Sequence, residues 1–169
     1  MSVRPLAESE TSRPLEPLSS QALTRILAEH EQARASAQGK RADLSLYRIE
    51  GFDFSHRELE GVHFDDSLLI GCRFDGASLY GAVFSDTRAP GTSFRGASLV
   101  KAELFGADLQ GACFDGAKLA RASFIECNLA GASFRGADLS SAIVSECDLR
   151  GAALDGADLT HASLTDNQT

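Results

Sequence analysis

The strongest constraint on this chain is a five-residue repeat that runs without interruption from Ala42 to Asp166. From Leu44 to Leu164, every fifth residue is Leu, Phe, Ile or Val at 24 of 25 positions, and Ala89 is the exception. Alanine stands two residues before this position 15 times, and glycine stands two residues after it 14 times. Each repeat therefore predicts a large inward residue, a small residue beside it and a bend in the backbone.

A five-residue period fits neither of the two regular secondary structures. Five steps along an α-helix rotate a side chain by about 140°, and an odd number of steps along a strand moves it to the opposite face. The chain must therefore turn once per repeat, which predicts a β-solenoid of short extended segments. Acidic residues interrupt the glycine positions at multiples of twenty, at Asp66, Asp86, Glu126, Glu146 and Asp166. Four units then make one coil, and 25 units make about six coils, roughly 30 Å tall at ordinary strand spacing.

Individual units resemble the A-(D/N)-L-x-x consensus of the pentapeptide-repeat family. Examples are Ala-Asp-Leu-Gln-Gly at 107–111, Ala-Ser-Phe-Arg-Gly at 132–136, Ala-Asp-Leu-Ser-Ser at 137–141 and Ala-Asp-Leu-Thr-His at 157–161. The resemblance covers about Ala42 to Asp166 and implies an all-β fold, a right-handed quadrilateral β-helix. It also implies a functional precedent, because some members protect DNA gyrase or topoisomerase IV from quinolones and other poisons by imitating duplex DNA.

The residues before the repeat divide into two segments. Residues 1–17 are polar and contain three prolines, which predicts a disordered N-terminal tail. Residues 18–41 carry apolar residues at helical spacing after the candidate N-caps Ser19 and Ser20, which predicts a helix ending near Gly39. We expect this helix to cap the first coil of the β-helix at 42–166, because an end coil otherwise exposes apolar surface and a sheet edge.

The composition of the chain bears on its localisation, on the state of its cysteines and on its binding partners. The polar N-terminus and the short apolar runs indicate neither a secretory signal nor a membrane span, and we expect a cytoplasmic protein. The four cysteines show no CxxC spacing and are expected to be free thiols. A net charge of -8 argues against direct binding to nucleic acid or to anionic membranes.

No arrangement of residues predicts catalysis, a cofactor or a metal site, so we expect a protein that is not an enzyme. The histidines, His30, His56, His63 and His161, are scattered and do not match a nucleophilic triad. Cys127 and Cys147 share one inward column and are interpreted as buried thiols in place of alanine. His63 and Asp65 are close in sequence, but a metal site there would be fortuitous.

Two outward faces differ in chemistry. The face around Phe114 carries residues of alternating charge, which predict a ladder of ion pairs that mainly favours solubility: Asp75, Arg95, Asp115, Arg135 and Asp155. The face around Leu104 and Phe124 carries apolar residues in outward positions: Val83, Phe105, Ile125 and Ile143. Beside it runs the acidic corner of Asp66, Asp86, Glu126, Glu146 and Asp166. The apolar residues and the acidic corner together are the candidate protein-binding surface. The alternatives are that this surface joins two copies of the chain or that it has no binding role.

The function we expect is that of a rigid protein-binding module with an unidentified protein partner. The alternative is a DNA mimic that binds and protects a type II topoisomerase. The chain from Ala42 onward carries 19 acidic and 10 basic residues, whereas duplex DNA of the same height carries roughly 18 phosphates. The net charge of this region, -9, is therefore only half the charge of the DNA that it would imitate. Few residues follow Leu164 to form a dimerising segment, so we expect a monomer or a weak dimer.

Overall fold

The computed structural model describes residues 15–36 and 41–169. The predicted tail at 1–14 and the predicted end of the helix near Gly39 lie outside the described residues. The elements in chain order are β1 (Glu16–Pro17), α1 (Ser20–Ser36), β2 (Tyr47–Glu50), β3 (Leu68–Ile70), β4 (Glu103–Phe105), β5 (Ser123–Ile125), β6 (Ile143–Ser145) and β7 (Ser163–Thr165). They form a β-solenoid of about six turns with one short N-terminal helix, which confirms the predicted fold class.

Successive coils pair in parallel at a displacement of twenty residues. β2 and β3 place Ile49 opposite Leu69, and β4 and β5 place Leu104 opposite Phe124. Isolated bridges keep the same displacement on the other sides of the coil. The strands form two sheets, in the orders β1-β2-β3 and β4-β5-β6-β7. The prediction of four pentapeptides per coil is therefore confirmed.

The interior is built from four columns of side chains. One column stacks five phenylalanine rings from Phe54 to Phe134, with neighbouring centroids 4.6 to 5.0 Å apart. The opposite column meets it edge to face, as Phe114 and Phe124 do at 5.8 Å. Ala89 is fully buried, and its N–H donates to the Asp108 carbonyl at 2.8 Å, so the ladder passes this small residue without a bulge. Each fully buried phenylalanine contributes about 1.5–3 kcal/mol.

The helix α1 covers the first coil, as the sequence predicted. Ser19 caps it by accepting a hydrogen bond from the Ala22 N–H at 3.2 Å. Leu23 and Leu27 are buried in the same cluster as the first inward residues of the solenoid. The Nδ1 atom of His30, which is also buried, accepts from the Ala42 N–H at 3.0 Å. In the part of the chain that the structure describes, no helix is long and apolar enough to cross a membrane.

A short strand precedes the helix. Glu16 and Pro17, which we had placed at the end of the disordered tail, form β1 and pair with Tyr47 and Arg48 of β2. The N–H of Leu18 extends the pairing to the Arg48 carbonyl at 2.9 Å. The physical reason is the open edge of the first coil, whose backbone groups would otherwise have no strand beside them.

Every corner of the solenoid has the same backbone conformation. The residue two places after each inward Leu or Phe has φ between 53° and 70°, at 14 glycines and 11 other residues. Most corners are closed by a hydrogen bond such as that from the Ala117 N–H to the Phe114 carbonyl at 2.9 Å. This left-handed region disfavours residues with a Cβ. At the 11 other corners, the side chain therefore carries a conformational cost that glycine would avoid.

Candidate protein-binding surface

The four predicted apolar residues lie on one side of the solenoid. Phe105 on β4 and Ile125 on β5 are paired neighbours. Ile143 on β6 pairs with Ser123, which places it diagonally from Ile125. Val83 forms a bridge with Glu103, diagonally from Phe105. The four side chains therefore lie on the same side of four successive coils. We call this side the Phe105 face.

The surface of the Phe105 face is uneven. Phe105 and Ile143 are 44% and 46% exposed, while Val83 and Ile125 are half-buried. In three of the four coils, the other outward position holds a serine: Ser85, Ser123 and Ser145. Each of these coils thus presents one large apolar side chain beside one small polar side chain.

The acidic corner borders the Phe105 face where the chain leaves it. Its five members, Asp66, Asp86, Glu126, Glu146 and Asp166, are exposed and have left-handed backbones. Partial burial, followed by the like charges of Asp66, Asp65 and Glu126, raises the pKa of the Asp86 carboxyl. The corner is therefore a ridge of negative charge, which adds to partial burial in disfavouring ionisation of Asp86.

A basic corner borders the same face where the chain enters it. Lys101, Arg121, Ser141 and His161 replace glycine there, all with left-handed backbones and all exposed. The Lys101 ammonium lies 5.5 Å from the centre of the Tyr80 ring. We did not predict this corner from the sequence. The signal was present, because these residues interrupt the glycine positions at multiples of twenty, as the acidic residues do.

The distribution of left-handed residues singles out the Phe105 face. Of the 11 corner residues that are not glycine, nine form the acidic and basic corners. Leu46 begins the same column as the acidic corner, and only His56 lies elsewhere. The two corners that border the opposite face carry glycine at 11 of 12 positions. A residue other than glycine, asparagine or aspartate costs about 1–2 kcal/mol in this conformation relative to a right-handed one. The cost is therefore concentrated around one face.

The opposite face carries the predicted ladder of alternating charges, and we call it the ladder face. Arg95 lies 4.0 Å from Asp115, and Arg135 lies 3.3 Å from Asp155. Asp115 also accepts hydrogen bonds from the Ser133 hydroxyl and, at 3.2 Å, from the Arg135 N–H. The bond from Ser133 and the charge of Arg95 hold the pKa of the Asp115 carboxyl below its usual value. Charges on this face are thus paired within the chain.

The cysteines lie where the sequence placed them, and the three buried thiols donate to backbone carbonyls, Cys72 to that of Ile49 at 3.5 Å. The Cys127 thiol donates to the Leu104 carbonyl at 2.8 Å, and the Cys147 thiol donates to the Phe124 carbonyl at 3.5 Å. Burial raises the pKa of the Cys72 thiol to about 11. Cys113 is half-exposed on the ladder face, and all four thiols are free.

No cluster suited to a metal ion occurs within residues 15–36 and 41–169. His63 Nδ1 and Asp65 Oδ2 are 3.0 Å apart at an N-terminal coil of the Phe105 face, but this pair is not joined by a third ligand. Two ligands alone do not make the closed coordination shell of a structural metal site.

The fold defines a four-sided β-solenoid with one coil per four pentapeptides, and the comparisons identify its class. The profile of the family described as Pentapeptide repeats matches in 8 copies, at residues 53–86, 85–119, 117–152 and 145–167. The chain therefore belongs to the pentapeptide-repeat family. A comparison with curated proteins found no matching sequence.

Several solved structures are similar to this chain. HetL, a pentapeptide repeat protein involved in heterocyst differentiation regulation in the cyanobacterium Nostoc, is 34% identical over 76% of this chain and 62% of HetL, with a TM-score of 0.49. A protein of the Arabidopsis thaliana thylakoid lumen is 30% identical over 68% of this chain and 66% of that protein, with a TM-score of 0.47. QnrB1, a plasmid-mediated fluoroquinolone resistance protein, is 22% identical over 69% of this chain and 62% of QnrB1, with a TM-score of 0.35. The chain thus spans less than two thirds of the length of each of these three proteins.

Proposed function

We propose that this chain is a non-enzymatic protein-binding module and that the Phe105 face is its binding surface. The observation that carries the proposal is the concentration of left-handed residues other than glycine on the two corners of that face. Glycine fits these corners at lower conformational cost and serves almost everywhere else in the solenoid. Within residues 15–36 and 41–169, the exposed side chains of Arg121 and Glu126 make no hydrogen bond or ion pair that would offset this cost. Recognition of a partner supplies the missing reason.

The chemistry of the face suits a protein partner. Its centre is apolar at Phe105, Ile125 and Ile143, and its two rims are charged, which is the usual anatomy of a protein interface. The rims carry opposite charges, so a partner must present an acidic edge and a basic edge on either side of an apolar centre. Such a partner is bound in one orientation only.

The same arrangement argues against mimicry of duplex DNA. A DNA mimic presents negative charge along its whole length, as the two phosphate backbones do. Here the acidic corner lies five residue steps, at most about 17 Å, from a corner that carries Lys101 and Arg121. The likeness to QnrB1, at 22% identity, concerns the fold alone. Protein binding is therefore the function that we prefer.

Site-specific photo-crosslinking in cells tests this proposal. A benzophenone amino acid at position 105 is compared with the same residue at position 95, the matched outward position on the ladder face. We expect protein adducts from position 105 and none from position 95. Adducts from 105 should also disappear when Ile125 and Ile143 are both changed to Asp. Equal adducts from the two positions, or none from position 105, would overturn the proposal.

A further inference from the structure

We infer that the Phe105 face binds a second copy of this chain, with the two solenoids side by side and parallel, related by a two-fold axis along the solenoid direction. This inference rests on the proposed function and names the partner at the same surface. A two-fold interface brings one patch against itself, so the patch must be complementary to its own rotated image. The charges on the rims of the Phe105 face and the sizes of its central side chains each show whether the face is complementary to its rotated image.

The charges on the two rims choose between the possible two-fold axes. An axis parallel to the solenoid exchanges the left and right edges, so the acidic corner of each copy faces the basic corner of the other. Arg121 and Glu126 border the same coil, so each Arg121 faces the second copy's Glu126, and the pair occurs twice. An axis across the solenoid places acidic corner on acidic corner, which is repulsive.

The side chains in the centre of the face fit the same axis. Rotation about the solenoid direction brings the two outward positions of a coil opposite one another. Val83 then faces Ser85, Ile125 faces Ser123, and Ile143 faces Ser145, each in the other copy. In these three coils a large apolar side chain meets a small one, so the uneven surfaces interlock. In the fourth coil, Phe105 faces Glu103, which is larger than serine.

The size of the face sets the strength of the association. A face at most about 17 Å wide and four coils, or about 19 Å, tall has a footprint of about 300 Å². Stable interfaces bury about 800 Å² on each partner. The dimer is therefore weak and reversible, and it depends on protein concentration and on salt, because charge pairs on its rims are screened.

Analytical ultracentrifugation of the purified full chain tests this arrangement. We expect the mass to rise from 17.9 kDa toward twice that value between micromolar and near-millimolar concentration, and less at high salt. Arg121→Glu and Glu126→Arg should each weaken self-association at least about tenfold, because each sets like charges against one another. An equimolar mixture of the two variants should associate again, because every facing pair is then opposite in charge. The double variant R121E/E126R should also associate with itself.

The controls separate association from folding. Both substitutions keep a Cβ at the corner, so neither changes the backbone preference there. Glu126→Arg also relieves repulsion within the acidic corner, so it is expected to fold well. Arg95→Glu on the ladder face should leave self-association unchanged. A mixture of R121E and E126R that stays monomeric would overturn the two-fold arrangement.

The failure of this inference is distinct from the failure of the proposed function. A wild-type chain that stays at 17.9 kDa at every concentration overturns self-association. In that case, photo-crosslinked adducts from position 105 to a different protein would still support the Phe105 face as a binding surface. Adducts with twice the mass of the chain support both statements.

Discussion

The carboxylate of Asp86 occupies the space beside Gly106, where the Cβ of any other residue would overlap its Oδ1 atom. Gly106 is the one glycine in the column of corner residues that starts at Leu46 and ends at Asp166. A glycine in this column therefore makes room for a neighbouring carboxylate, in addition to relaxing the backbone. At Gly116, on the ladder-face side, a Cβ would meet nothing within 4 Å.

Replacing Gly106 with alanine should destabilise the fold more than replacing Gly116. Both variants incur about 1–2 kcal/mol for a Cβ in the left-handed region, and the lower chain entropy of alanine offsets about 0.5–1 kcal/mol in each. Gly106→Ala must also turn the Asp86 carboxylate, which is the exposed end of a short side chain and moves at low cost, so its loss in free energy of unfolding should be only slightly larger. Chemical unfolding of the two variants measures the difference. In Asp86→Ala, the extra loss should disappear; an extra loss that persists there would refute the contact as its cause.

Asp86→Asn should stabilise the protein at neutral pH. The pKa of Asp86 is raised, so the folded state binds its proton more tightly than the unfolded state does. The ionised carboxyl therefore costs stability above its folded pKa, and this cost is relieved as the pH falls. We expect a higher Tm for D86N than for wild type at pH 7 and a smaller gain in acid. Asparagine also tolerates the left-handed region, but that benefit does not change with pH.

Asp115→Asn is the control for Asp86→Asn, because it should change the Tm at neutral pH in the opposite direction. The pKa of Asp115 is lowered, so its ionised form stabilises the fold above the unfolded pKa, and this contribution is lost as the pH falls through the folded value. D115N should therefore lower the Tm at pH 7 and differ less from wild type in acid. Thermal unfolding at several pH values checks both variants, and shifts of the same sign in the two would contradict the assignment.

The fold and the apolar part of the site were predictable because the repeat has a fixed period. Once four units make a coil, the position of Phe105 or Ile143 within its unit determines its face. The basic corner was missed because only the acidic departures from glycine were compared from coil to coil, and Lys101 and Arg121 were not. β1 was missed because it lies outside the repeat and pairs through its backbone with the edge strand β2. Such pairing depends on backbone geometry and has no period to reveal it.

Cys113 should be the first thiol to react in the native protein. It is half-exposed, whereas Cys72, Cys127 and Cys147 are buried. Burial raises the pKa of Cys72 to about 11, and the neighbouring Cys147 together with burial raises the pKa of Cys127, so little thiolate forms at either site. Alkylation followed by mass spectrometry should show one fast adduct, absent in Cys113→Ser, and three that appear only on unfolding. Rapid native labelling of Cys127 would contradict this prediction.

Arg121→Gly should make the protein more stable and less able to associate. Relief of the left-handed side chain contributes about 1–2 kcal/mol, and the greater chain entropy of glycine offsets about 0.5–1 kcal/mol, so the free energy of unfolding should rise by up to about 1.5 kcal/mol. The loss of the guanidinium should weaken self-association because Glu126 of the other copy then faces no charge. His56→Gly is the matched control, since His56 has the same backbone conformation at a corner away from the Phe105 face. It should gain similar stability and keep wild-type association in the ultracentrifuge. Loss of association in both variants would mean that glycine acts through the solenoid as a whole and that the corner charge has no part in recognition.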